Sequence, residues 1–272
     1  MQTRSLLATE GGVRMSTTVK IWALDGAKFT LDRAILVVGG EGTLTVPVPT
    51  YLIQHERGLV LFDTGLDPAA VTDPSGTYGP LADMLGLEFP EEMRVDRQIE
   101  AAGFSAADVT HVIVSHSHFD HTGAISLFPN AQILIGGADL PYAYWPMPAA
   151  SVFFRSQDIE VARGFQWREL YGDLDLFGDG SIQILQMPGH TPGNTSTIVR
   201  LDSGYVMLTG DTVHVPEALE GDLPMPSDYS TLDAVRSIRR LKSIAQAYDA
   251  EIIIQHSVED WNRLREISGA KS

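Results

Sequence analysis

The chain has 272 residues, a formal charge of −16, eight histidines and no cysteine. Without cysteine there is no disulfide scaffold, no thiolate-ligated zinc, no iron–sulfur cluster and no thiol nucleophile. So acidic a chain is a poor partner for nucleic acid or an anionic membrane, both of which need Lys/Arg surfaces, and no apolar run is long enough to span a bilayer.

Residues 1–14 read as a disordered upstream extension, because Met15 followed by Ser-Thr-Thr-Val-Lys-Ile looks like a second start. No export signal stands out, so the expected location is the cytoplasm. Residues 15–272 carry no biased linker and no short repeat and are read as one domain. Alternation over Val19–Leu24 predicts a strand. Ala34–Val38, stopped by Gly39-Gly40, predicts another, and Val46–Gln54 and Leu59–Phe62 two more around a polar turn. Residues 66–92, rich in Pro and Gly, read as a long loop. A helix is expected over Arg94–Ala102, ended by Gly103, then a helical turn at Ser105–Asp108. Short apolar strands follow at His111–Val114, Ser181–Leu185, Tyr205–Leu208 and Glu251–Ile254. Between the last two, Ser230 and Asp233 open a capped helix whose apolar face is Leu232, Val235, Ile238, Leu241 and Ile244. Strands first and mixed strands and helices later predict an α/β (α+β) layered fold.

The chemistry concentrates in Ser115-His-Ser-His-Phe-Asp-His121, an H-x-H-x-D-H run. A lone His would mean little. Four metal-type residues in six positions are different, because burying so many ionisable groups without a metal is costly. Imidazole with carboxylate suits Zn, Fe, Mn or Ni and not an all-oxygen calcium cage. The other three late strands also end at metal-type residues: His190, Asp211 and His256. Four strands that each end in such a residue can gather them at one rim of a sheet scaffold.

With Phe62-Asp63-Thr64-Gly65 ahead of them, these motifs resemble the metallo-β-lactamase superfamily from about Val19 to Ser257. The resemblance implies a four-layer αββα sandwich with two divalent metal ions, most simply zinc, at one edge. His116, His118 and His190 would hold one ion, and Asp120, His121 and His256 the other. Asp211 would bridge them. Two such ions activate a bridging hydroxide and clamp the attacking and leaving oxygens, which suits hydrolysis of an ester, lactone, amide or phosphoester. Asp120 would also shuttle the proton as a catalytic group, and Asp63 would orient a ligand.

Within the superfamily the charge argues against the RNA-processing branch, and the absence of cysteine argues against a Cys-ligated one. Val46–Gln54 before Gly58–Leu66 is similar to the N-acyl homoserine lactone hydrolases, which are quorum-quenching lactonases. That implies a small lactone with an apolar acyl chain as substrate, and a homodimer. The same hydrolysis of another lactone or ester is the alternative, and a non-catalytic metal-binding sensor the reading from another class. That branch commonly carries a Tyr three residues after the bridging Asp. Here His214 stands there and is the candidate donor to the substrate carbonyl. The segment 139–171 holds eight aromatics in 33 residues. From it Tyr142, Trp145 and Phe153 are expected in the acyl pocket, with Tyr78 and Phe89 from the 66–92 loop. His55 and His111 are read as structural.

Overall fold

A computed structural model describes residues 19–268, so the expected extension 1–14 lies outside the described residues. Thirteen strands run through them: β1 (Lys20–Leu24), β2 (Lys28–Asp32), β3 (Thr43–Pro47), β4 (Thr50–His55), β5 (Gly58–Phe62), β6 (Val109–Val114), β7 (Gln132–Gly136), β8 (Gln166–Leu170), β9 (Leu174–Asp175), β10 (Ile182–Gln186), β11 (Thr195–Leu201), β12 (Gly204–Leu208) and β13 (Ala250–Ile253). One sheet has the order β1-β4-β5-β6-β7-β8 and a second β13-β12-β11-β10-β9, while β2 and β3 pair as a separate ribbon. The β5–β6–β7–β8 pairs are parallel, as is β12–β13.

The central strands of both large sheets are buried on both faces, which is why several of them read as nearly continuous apolar runs. Tyr51, Ile53, Val60, Phe62 and Ile113 point inward and meet Ile182, Ile184, Val199, Val206 and Leu208 of the second sheet. Their neighbours Leu52, Leu61, Val112 and Val114 point outward and pack with Val95 and Ile99 of the helix Val95–Ala101. On the far side Leu185, Ile198 and Met207 pack with Leu241 of the helix Thr231–Tyr248. The result is the αββα sandwich. No described helix is long and apolar enough to cross a membrane.

Several expected elements are displaced. Ala34–Val38 is not a strand. The Asp32 carboxylate accepts from the Ala34 N–H at 2.9 Å and starts a 3-10 turn at Arg33–Ile35, and the strand is the preceding Lys28–Asp32. Val46–Gln54 is two strands in different sheets, because Pro47 and Pro49 cannot donate to a ladder and break the run. The 66–92 loop coils into short turns at Pro68–Val71, Pro74–Tyr78, Pro80–Met84 and Glu91–Met93. The first two are capped by Asp67 and Asp73, and the first three begin with Pro. On the helix Thr231–Tyr248 the Ser230 cap is as expected. Of the expected face Ile238 and Leu241 are buried and Ile244 packs partly buried beside Leu241, but Ala234, Ser237 and Ala245 complete the buried stripe and Leu232 is 59% exposed.

Candidate metal centre

Strand ends build the site. β5 ends into Asp63, β6 into the His116–His121 loop, β10 into His190, β12 into Asp211 and β13 into His256. The potential ligand atoms form two groups, His116–His118–His190–Asp211 and Asp120–His121–His256, with every residue buried. Asp211 Oδ2 lies 3.8 Å from His116 Nε2 and 3.6 Å from His190 Nε2, and His190 Nε2 lies 3.1 Å from His118 Nδ1. The other oxygen, Oδ1, lies 3.5 Å from His121 Nε2 and 3.3 Å from His256 Nε2, and Asp120 Oδ2 is 3.5 Å from His121 Nε2. Nitrogen and oxygen donors around a tetrahedral ion stand about 3.3–3.4 Å apart, so each group has the spacing of a coordination shell. One carboxylate turns an oxygen to each.

The fit has a second sign. His116 Nε2, His121 Nε2 and Asp211 Oδ1 are buried without a hydrogen-bond partner, and such orphans are costly unless something absent from the protein chain satisfies them. Burial, reinforced by neighbouring histidines, holds the His116 and His118 imidazoles well below their ordinary pKa, which is the neutral, ligating form. Burial opposes charge on Asp211 too, but His121, His256 and His214 around it pull its carboxyl well below the ordinary range. Burial also works against charge on His121, yet Asp211, Asp120 and Asp63 together raise it well above its usual value. That pull on a proton is a pull on any cation.

Outer partners aim the rings. His121 Nδ1 donates to Asp63 Oδ2 at 2.8 Å, and Asp63 also accepts from the Ser115 N–H at 2.7 Å and hydroxyl at 2.9 Å. His256 Nδ1 donates to the Pro47 carbonyl at 2.9 Å, and His190 Nδ1 to Asp228 at 2.9 Å. Sequence reading missed Asp228, since nothing in Pro-Ser-Asp-Tyr marks it. It also missed Asp139, although β7 followed by an acid three residues on is the pattern that located the ligands.

A narrow, partly open cavity lies beside the cluster. Phe29, Leu31, Leu36, Val46, Leu85 and Phe153 wall it, and His118, Asp120, His214 and His256 floor it. Of the five expected wall residues only Phe153 lines it. Tyr78 packs on Phe119 and bonds the Asp67 N–H, Phe89 lines a separate small cleft, Tyr142 packs on Phe154 and Tyr229, and Trp145 is 88% exposed. The wall comes mainly from the β2–β3 ribbon, whose Phe29 and Leu31 turn inward at period two. His214 is buried with Nε2 3.1 Å from Asp211 Oδ2. His55 and His111 lie elsewhere, packed on Phe177.

A metallo-beta-lactamase superfamily model matches residues 44–255, and the chain belongs to that superfamily, with His/Asp groups fit for divalent metal ions. Within it the resemblance is to lactonases. "N-acyl homoserine lactonase AttM" of Azorhizobium caulinodans is 33% identical over 241 residues, 85% of this chain and 89% of that protein. An N-acyl homoserine lactonase of Bacillus cereus is 28% identical over 249 residues, 89% and 95% of the two. A B. thuringiensis AiiA mutant solved with N-decanoyl-L-homoserine at its active site shares the fold with a TM-score of 0.79. Its identity is 24%, over 92% of this chain and 97% of that one.

Proposed function

We propose that this chain opens the lactone ring of N-acyl homoserine lactones. The observation that carries the reading is a complete pair of ligand groups on the floor of an apolar cavity. The names of the relatives support it. His116, His118, His190 and Asp211 Oδ2 would hold one ion, and Asp120, His121, His256 and Asp211 Oδ1 the other. The His-rich donor sets suit zinc. Bound there, two such ions supply Lewis acidity and an activated water.

The chain's residues do the rest. The β2–β3 ribbon and Phe153 take the acyl chain and exclude water from it. His214 donates its ring N–H to the lactone carbonyl, in place of the tyrosine implied by the resemblance. Asp120 carries the proton to the departing ring oxygen. Asp63 and Asp228 hold the His121 and His190 rings in the orientation that turns their free nitrogens to the cations. A cytoplasmic location, expected from the sequence, and a two-chain assembly, implied by the resemblance, accompany the reading, and light scattering on the purified protein tests the assembly.

The test is proton release by pH-stat from a panel of acyl homoserine lactones of graded chain length, beside simple γ-lactones and aryl esters. Turnover highest on the acylated lactones is expected. Protein with two ions bound that released no proton from any lactone would overturn the assignment.

A further inference from the structure

Asp139 belongs to neither ligand group, yet it is fully buried at the rim. Its Oδ2 accepts from the Ser117 backbone N–H at 2.7 Å and from the Ser117 hydroxyl at 2.9 Å. Its Oδ1 accepts from the Gly193 N–H at 2.9 Å. Ser117 sits between His116 and His118, and Gly193 is three residues past His190. The two segments therefore meet on one carboxylate, and they are the segments that bear the three histidines of one group. The contact is tight: a Cβ on Gly193 would come within 2.7 Å of the Asp139 nitrogen and of the Gly136 carbonyl oxygen.

The second group hangs on different supports. His121 is held by Asp63, His256 by the Pro47 carbonyl, and no hydrogen bond of the Asp139 carboxylate reaches residues 120, 121, 211 or 256. A buried carboxylate is tolerable only when its lone pairs are filled, so Asp139 fixes the spacing of the two loops rather than tuning it loosely.

We propose that Asp139 is a positioning residue for the His116–His118–His190 group alone, so that its loss weakens one metal site and spares the other. The inference rests on the two-site reading above. In Asp139→Asn, one oxygen becomes an NH2 that must face an N–H or O–H donor, and the clasp opens on one side.

The experiment titrates the metal-free full chain with zinc against a chromophoric chelator, while histidine ring 15N NMR reports which rings bind. Wild type should take up two ions, and one ion or none would remove the two-site reading and this inference with it. In Asp139→Asn, zinc should still bind His121 and His256 with wild-type affinity, with affinity at His116, His118 and His190 down about 10–100-fold. Equal weakening of both groups, or of neither, would overturn the proposal. If that variant does not fold, Ser117→Ala removes one of the three donors and should weaken the same group by a smaller factor. Unchanged affinity there overturns it equally.

Discussion

Asp158 offers a quantitative check on how the cavity wall is anchored. It is 4% exposed, its Oδ2 has no partner, and its Oδ1 is 3.3 Å from Arg155 Nη1. Arg155 also reaches Asp67 at 3.2 Å and lies over the Tyr78 ring, which ties the segment bearing Phe153 to the loop after β5. Burial pushes the Asp158 carboxyl up to about 7 from an ordinary 3.8. Arg155 pulls it down less than burial lifts it, and Asp67 adds to the rise. A raised carboxyl binds its proton more tightly in the folded than in the unfolded chain. Its contribution to stability is therefore complete below about pH 4 and is lost as pH climbs through about 7. A side-chain amide cannot titrate. In Asp158→Asn the loss is absent, so between pH 5 and pH 8 the variant should gain on wild type by about 2–3 kcal/mol, two pH units of slope at about 1.4 kcal/mol each. Urea unfolding of both metal-free proteins across that range measures the difference, in which the titrations they share cancel. Parallel stability curves would refute the reasoning.

Metal removal should abolish lactone hydrolysis and lower the midpoint of thermal unfolding, and added zinc should restore both, since a ligand of the folded state stabilises by mass action. A melting curve indifferent to chelator would count against the centre. Asp211→Asn takes away the shared carboxylate and should cut kcat by a factor of 100 or more, roughly 3 kcal/mol at the transition state. Near-normal turnover would contradict the two-site scheme. Phe153→Ala should raise KM for long-chain lactones about tenfold, for a partly buried aromatic contact of roughly 1.5 kcal/mol. Trp145→Ala, on an exposed ring, should leave KM unchanged, and the reverse pattern would return the wall to the aromatic insertion.

The sandwich and the metal-type residues were legible because both depend on short-range signals. A strand buried on both faces announces itself as an apolar run, and a residue at its end is located by counting. β7 and β11 went unread for opposite reasons. Gln132–Gly136 is brief and runs into Gly136-Gly137, and Thr195-Ser-Thr buries hydroxyls where apolar residues are expected. Two of them reach distant carbonyls, Thr195 that of Ser115 at 3.3 Å and Ser196 that of Thr209 at 2.7 Å, while the Thr197 hydroxyl is buried without a hydrogen-bond partner. The cavity wall was misread because aromatic density is a property of sequence, whereas lining is a property of direction. Tyr142 and Trp145 are rich apolar surface, but one turns into the insertion and the other to solvent. Phe29 and Leu31 came unmarked, on a ribbon whose first strand was expected elsewhere.

Asp63 lies at φ +60°, the left-handed region that side chains with a Cβ rarely enter. The position thus has to satisfy a backbone demand and an electrostatic one with the same residue. Glu keeps the charge but loses the local hydrogen bonding that lets Asp and Asn visit that region, Gly keeps the backbone but not the charge, and Asn keeps shape and backbone with half the acceptors. Drift at this site has no gradual route, since a first step must give up one demand or the other. In a saturation library scored for folding alone, Asn and Gly should lead the survivors, while scoring for hydrolysis should leave aspartate nearly alone.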